Sequence, residues 1–256
     1  MRMATAVVTG AGQGLGRAIS NRLNQDGWDI IAVDVNPDTV KRTADEVGGH
    51  AIVCDVSDRG AVMAMGEEVA THAQQVGALV NNAGIWRYSG LLGITEQDAH
   101  DVLNTNLLGT LWCSQAIIPL MQQHGSGAVV NFSSVASLMS AAGVGIYPAS
   151  KSAIETITRQ AALEFAPNGI RANAVAPGMI VTESTAPNYE GEMREIRAQM
   201  IPMRKVGDPA VIADVVSFLV SDDSRYVSGQ LIAIDGAMSC GQAGTAPVAL
   251  GPPKRD

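Results

Sequence analysis

The chain predicts an α/β fold built on a parallel sheet, and three observations carry that prediction. Short β-rich runs alternate with longer helical patterns from one end to the other, the signature of repeated βαβ units. Most of those runs are continuously apolar rather than alternating, as strands covered on both faces should be. With 256 residues, 46% of them hydrophobic and only 16% charged, the chain can bury the core of one large domain.

The elements follow in order. Strands are predicted at 5–9, 29–33, 51–54, 78–81, 128–132, 171–175 and 231–234. A first helix at 14–26 repeats Leu15, Ala18, Ile19, Arg22 and Leu23 on one side. A helix at 58–74 follows Ser57 as its cap. The next, at 96–123, is long, with Pro119 as the expected kink. Another spans 146–165, and one at 209–220 starts on Pro209. Residues 184–206 interrupt the rhythm with Met193, Ile196, Met200, Ile201 and Met203, apolar enough to pack. That stretch is either a helical flap over a ligand or a surface excursion. No repeat or linker divides the chain, so residues 1–239 are expected to form one domain and 240–256 an irregular tail.

Composition excludes several classes of function. A formal charge of −8 without a basic run argues against a nucleic-acid or anionic-membrane surface. No apolar stretch approaches bilayer-spanning length, and the start of the chain has no leader-like segment. Cys54, Cys113 and Cys240 are odd in number and far apart, which fits reduced thiols and a cytoplasmic protein. His50, His72, His100 and His124 show no metal-ligand spacing, so no structural or catalytic metal is expected.

The turn after the first strand reads Thr9-Gly10-Ala11-Gly12-Gln13-Gly14-Leu15-Gly16. Glycines there let backbone N–H groups and a helix N-terminus approach a pyrophosphate, although glycine-rich turns also occur for purely structural reasons. Asp34 closes the second strand, where a carboxylate can accept hydrogen bonds from a ribose diol and repel a 2′-phosphate. Val35, Asn36 and Pro37 follow it without a cation, which favours NAD over NADP. Asp55 and Val56 end the third strand, and Asn82, Ala83 and Gly84 follow the fourth. Ligands in such sheets bind beyond the strands' carboxyl ends.

Tyr147-Pro148-Ala149-Ser150-Lys151 sets a phenol and an amine four residues apart, on one face of a helix. An adjacent ammonium favours the phenolate, which makes a tyrosine usable as an acid/base. Alone, the pair is also what two surface residues at helical spacing look like.

Taken together, the chain resembles the short-chain dehydrogenase/reductase family from about residue 4 to 238. The resemblance rests on Thr9-Gly10-x-x-x-Gly14-x-Gly16, Asp55, Asn82-Ala83-Gly84, Asn106-Leu107-Leu108-Gly109, Ser134, Tyr147-x-x-x-Lys151 and Pro177-Gly178-x-x-x-Thr182, in the family's order and separations. It implies a single doubly wound Rossmann-type domain whose seven parallel strands run in the order 3-2-1-4-5-6-7. It also implies that Tyr147 is the acid/base and that Lys151 lowers its pKa and holds the nicotinamide ribose. Ser134 would orient the substrate oxygen, and Asn106 would hold a water for proton exchange. Pro177, Gly178, Ile180 and Thr182 would hold the carboxamide, while Gly10, Gln13, Gly14, Leu15 and Gly16 cradle the pyrophosphate. The family's thirteen-residue spacing to Tyr147 selects Ser134 over Ser133. Pro148 is a departure that bears on how Tyr147 is aimed.

The implied substrate side comprises Trp86 and Tyr88 after the fourth strand, then Ala136, Leu138, Met139, Ala142 and Val144 after the fifth, with Ser134 and Tyr147. Mostly apolar, it suits a hydrophobic or cyclic secondary alcohol or ketone. Arg87 is either a surface residue or a partner for a substrate carboxylate or thioester, and Trp86 and Tyr88 either pack or touch ligand. Family members commonly form tetramers. Leu107, Leu108, Leu111, Ile117 and Ile118, with Ala153, Ile154, Ile157, Ala161 and Leu163, fit such an interface or a buried internal face. The leading expectation is an NAD-dependent alcohol dehydrogenase/ketone reductase. Alternatives are a 3-oxoacyl reductase acting on carrier-protein or CoA substrates and, remotely, a non-catalytic NAD-binding sensor.

Overall fold

Thr5–Thr9 (β1) is buried along its whole length, because helices cover both its faces. Ala6 and Val8 join one core cluster and Val7 the other, the two-residue alternation of a strand dividing its side chains between two layers. The computed structural model describes residues 4–241. Around β1 stand Asp29–Asp34 (β2), His50–Val53 (β3), Val76–Asn81 (β4), Gly127–Phe132 (β5), Ile170–Pro177 (β6) and Leu231–Ile234 (β7). All pairings are parallel, and the sheet runs β3-β2-β1-β4-β5-β6-β7. The fold class and strand order implied by the sequence are those of the structure.

One face of the sheet is covered by Gly14–Gln25 (α1), Pro37–Val47 (α2) and Pro209–Val220 (α9), which bury Ile19, Leu23, Val40, Ile212 and Leu219. The other carries Arg59–His72 (α3), Gly109–Gln122 (α5) and Tyr147–Phe165 (α7), which bury Met65, Val69, Ile117, Met121 and Ala161. Each fully buried aliphatic side chain here stabilises the fold by about 1.5–3 kcal/mol relative to exposure. The shorter helices are Glu96–Val102 (α4), Val135–Leu138 (α6) and Glu192–Met200 (α8).

Four expectations need correction. Helix α2 was not anticipated, although Asn36 caps it by accepting from Asp38 and Thr39 N–H, and Gly48 ends it at φ +59°. Helix α3 is capped by Asp58, whose carboxylate accepts from Gly60 and Ala61, rather than by Ser57. The long helix expected at 96–123 runs unbroken from Glu96 to Gln122, but it widens at a π-helical turn, Leu103–Leu108, and Pro119 lies inside α5 without ending it. That wide turn aims Asn106 inward to bonds with Ile85 and Ser150, so tertiary contacts accompany the widening. In 184–206 the chain is helical as expected, but only Ile201 of its large apolar set is buried. Met193, Ile196, Met200 and Met203 are 44–63% exposed, and α8 buries none of its residues among the described ones.

The predicted tail lies outside the described residues, apart from Cys240 and Gly241. No helix among the described residues is long and apolar enough to cross a membrane.

Candidate active site

In a parallel sheet every carboxyl end lies along one edge, and the chain reverses its winding between β1 and β4, opening a crevice there. Thr9 and Asn82 line that crevice and lock its walls together. The Thr9 hydroxyl accepts from Asn82 N (3.1 Å) and Ala83 N (3.1 Å), and Asn82 Nδ2 donates to Thr9 O (2.9 Å) and Gly10 O (3.1 Å). The glycine turn is therefore fixed by the segment that follows β4. Below it Asn81 Nδ2 donates to Asn131 Oδ1 (2.9 Å), and Asn131 Nδ2 to Thr158 Oγ1 (2.9 Å), a buried polar rung that ties β4 and β5 to α7.

The glycines are required by space. A Cβ on Gly16 would lie 2.1 Å from Gly10 O, and one on Gly12 would lie 2.3 Å from Thr39 Oγ1 and 3.0 Å from Asp34. Gly10 has φ +64°, open only to residues that tolerate the left-handed region. Gln13 caps α1 with no side-chain hydrogen bond, leaving the helix N-terminus free to bind an anion. The protein supplies one: Glu183 Oε2 accepts from Gly14 N at 2.9 Å, with Arg17 beside it at 3.5 Å. A carboxylate on this N–H is the protein's own stand-in for a phosphate oxygen, and these residues fit a dinucleotide pyrophosphate.

Asp34 Oδ2 accepts from Gly12 N (2.9 Å) and Oδ1 from Asn36 N (3.0 Å), so its carboxylate is oriented at the crevice's outer end. Arg42, a cation that the residues directly after Asp34 do not reveal, reaches back along α2 to Gly12 O at 3.5 Å. Asp55 is engaged by Ser57 N and Oγ (2.9 and 2.7 Å), and buried Val56 packs against Gly109. From the other wall, Gly178 N donates to Ile234 O (3.0 Å), Ile180 is buried, and Thr182 stands against Gly14. Leu15 packs on the core.

Lys151, Ser134, Tyr147 and Asn106 converge beside this cradle. Lys151 is 4% exposed, and its Nζ donates to Phe132 O at 2.7 Å, at the end of β5. Burial lowers its pKa to about 8. The ammonium lies over the Tyr147 ring, 5.7 Å from its centroid. The Tyr147 pKa is raised here rather than lowered as expected. Burial raises it, the Ser134 hydroxyl opposes that by hydrogen bonding, and Tyr88 adds to it.

Asn106 is fully buried, with Oδ1 accepting from Ile85 N (2.8 Å) and Nδ2 donating to Ile85 O (2.9 Å) and Ser150 Oγ (3.1 Å). Ser150 Oγ donates in turn to Tyr147 O (2.7 Å), so Asn106 fixes the Tyr147 backbone through one intermediary. A Cβ on Gly84 would sit 3.2 Å from Asn106 Oδ1 and 3.4 Å from Lys151 Nζ, which shows how closely the three meet. Pro148 falls in the first turn of α7, where helical N–H groups have no intrahelical acceptor, and costs no bond.

Ser134 caps α6, accepting from Ala136 N at 3.2 Å. Its neighbour Ser133 is buried, its hydroxyl within hydrogen-bond distance of Lys151 O (3.1 Å) and Glu155 Oε1 (3.0 Å); the Ser137 hydroxyl has Ser134 O (2.6 Å) and Glu155 as its alternative acceptors. Only Ser134 of the two adjacent serines meets the phenol. Ser150, Glu155, Arg42 and Glu183 were not among the predicted site residues; each acts through a tertiary contact that spacing does not disclose.

Over the site, Trp86, Leu138 and Met139 are 37–45% exposed, and Val144 pairs with Ser89 to join the two flanking loops. Tyr88 interacts electrostatically with both Tyr147 and Tyr189, so the 186–189 turn of the predicted flap shares this space. Arg87 lies near Asp98 (3.6 Å) and Asp101 (3.9 Å) and points to the surface. A cavity of about 540 Å³ lined by Trp28, Arg171 and Tyr226 opens at the other end of the strands and shares no residue with this site.

The family model described as enoyl-(acyl carrier protein) reductase matches residues 10–239. A 3-oxoacyl-[acyl-carrier-protein] reductase of Staphylococcus aureus is 37% identical over 243 residues, covering 91% of this chain and 97% of that protein. Carbonyl reductase family member 4 of Danio rerio is 39% identical over 236 residues, with 91% and 97% covered. Among solved structures, a provisionally assigned gluconate dehydrogenase from Agrobacterium tumefaciens superposes with a TM-score of 0.90 at 30% identity, covering 94% and 97%. With its strand order, glycine cradle and Ser–Tyr–Lys–Asn cluster, the chain belongs to the short-chain dehydrogenase/reductase family of oxidoreductases.

Proposed function

We propose that this protein is an NAD(H)-dependent oxidoreductase interconverting a secondary alcohol and a ketone on an apolar substrate. The observation that carries the reading is the convergence of Ser134, Tyr147, Lys151 and Asn106 beside a glycine cradle whose outer end holds an oriented carboxylate. The nicotinamide, when bound, supplies or accepts the hydride. Gly10, Gln13, Gly14, Leu15 and Gly16 hold the pyrophosphate, and Asp34 takes the adenosine ribose diol while its charge opposes a 2′-phosphate. Asp55 and Val56 flank the adenine end. Asn82, Ala83 and Gly84 form the wall opposite Pro177, Gly178, Ile180 and Thr182, which face the carboxamide.

In reduction, Tyr147 gives its phenolic proton to the substrate carbonyl oxygen, and in oxidation it takes the hydroxyl proton. Burial keeps the phenol protonated at neutral pH, as the acid requires. Lys151, charged below about pH 8, stabilises the phenolate that forms as the proton leaves. Ser134 orients the substrate oxygen, and Asn106 holds Tyr147 in place through Ser150. Trp86, Leu138 and Val144 give the substrate an apolar surface, with exposed α8 above it as the flap.

A 3-oxoacyl reductase is the second reading, favoured by the names of the relatives, although an acidic chain offers little to an acidic carrier protein. We further propose a cytoplasmic homotetramer. Ile117, Ile118, Ile154 and Ala161 are taken up inside the subunit, which leaves Leu107, Leu108, Leu111, Ala153, Ile157 and the 80%-exposed Leu163 for the interface. An NADH-fluorescence screen across aliphatic, aromatic, terpenoid and steroid alcohols, with acetoacetyl-CoA and acyl-carrier ketoesters run alongside, tests the reading. Turnover of apolar alcohols with NAD is expected; turnover of the thioesters alone would replace it with the second reading.

A further inference from the structure

We propose that His50, Glu68 and His72 form a binding site for one divalent cation of the zinc class. Folding assembles what sequence spacing conceals. His50 opens the edge strand β3, while Glu68 and His72 lie four residues apart on the last turns of α3. One ligand atom from each falls within 4.8 Å of the other two, and the site is empty. His50 Nε2 and Glu68 Oε1 are already 2.9 Å apart, with both side chains about 40% exposed, so a cation has an open path to them.

The outer contacts prepare His72 as a ligand. Its Nδ1 lies 3.0 Å from Glu68 O and 2.9 Å from Thr71 Oγ1. With the proton on Nδ1, the ring donates to the helix carbonyl and presents a free lone pair at Nε2, the support a metal-bound histidine typically has. The two imidazoles stack at 3.8 Å with 18° between their planes. A shared cation must lie in both ring planes, so its entry turns the exposed His50 ring and replaces the hydrogen bond to Glu68 with two metal bonds. Two imidazole nitrogens and a carboxylate suit zinc, nickel or copper rather than magnesium or calcium, and water completes the shell. The site sits at the amino end of β3, away from the carboxyl edge that carries Tyr147. Its role is a clamp that fastens an edge strand to its covering helix.

The test uses the full, tag-free chain stripped with EDTA and titrated with zinc chloride by calorimetry and by thermal melting. We expect one equivalent bound with a rise in Tm, and no response to magnesium. His50→Asn and His72→Gln should each weaken zinc binding about tenfold or more, while leaving NADH-linked turnover unchanged, which shows that the variants are folded. Cys240→Ser should bind zinc as the wild type does. Absence of zinc binding overturns the proposal. So does binding that survives in the double histidine variant, or that disappears with Cys240.

Discussion

Burying Lys151 costs the fold stability, and that cost has a definite pH window. A lysine in the unfolded chain titrates near 10.5, whereas burial lowers the folded value to about 8. Below pH 8 both states carry the proton, and the full penalty of burying the ammonium is present. Between pH 8 and 10.5 the unfolded chain binds more protons than the folded one, so this residue makes the protein more stable as pH rises. Across that window the gain is about 3 kcal/mol, at roughly 1.4 kcal/mol for each pH unit of separation. Lys151→Met removes the titration and leaves Phe132 O without its 2.7 Å donor, an opposing loss of about 1–3 kcal/mol. The difference between the two proteins, rather than either curve alone, isolates Lys151 from the other groups that titrate at high pH. Urea unfolding followed by tryptophan fluorescence should show wild type gaining on the variant by about 2–3 kcal/mol from pH 7.5 to 10. Parallel stabilities across that range would refute the buried-ammonium account, and with it the electrostatic role proposed for Lys151.

Other consequences follow from the cradle. Asp34→Ala should weaken NADH binding about tenfold by removing the diol acceptor, and raise NADPH affinity, because Arg42 at the same corner then has no carboxylate beside it to oppose a 2′-phosphate; dissociation constants from nicotinamide fluorescence would decide it, and a wild type that already prefers NADPH would reject the charge argument. Glu183→Gln removes the carboxylate that occupies Gly14 N. As an exposed contact it is worth little, so NADH affinity should tighten by about two- to fivefold; weaker binding in the variant would mean that Glu183 supports the cradle instead of competing for it.

Much of this architecture is legible in the chain, for identifiable reasons. Strands such as β1 and β5 are covered on both faces, so their apolar runs carry little ambiguity, and the glycines between β1 and α1 mark a turn no larger residue can make. Asn36-Pro37 reads equally as a helix start and as the turn that follows the ribose carboxylate, which hides α2 and Arg42 from the sequence. The π turn at Leu103–Leu108 has no compositional mark, because it depends on bonds from Asn106 to Ile85 and Ser150 across the fold. The Tyr147 environment is hidden from the sequence for a related reason. Helical spacing brings the ammonium near the ring, but only the structure reveals that it is bonded to Phe132 O and that burial raises the phenol pKa. Residues from distant elements, such as Glu183 on Gly14 or His50 with Glu68 and His72, meet only after folding.

The central claim is that Tyr147 transfers the proton while other groups bind the dinucleotide. Tyr147→Phe keeps the ring, its burial and the backbone bond from Ser150, and deletes only the hydroxyl. Turnover of the best alcohol from the screen should fall by about a hundredfold or more, with NADH binding within a factor of about two of wild type. Retention of more than a few per cent of activity would contradict the assignment.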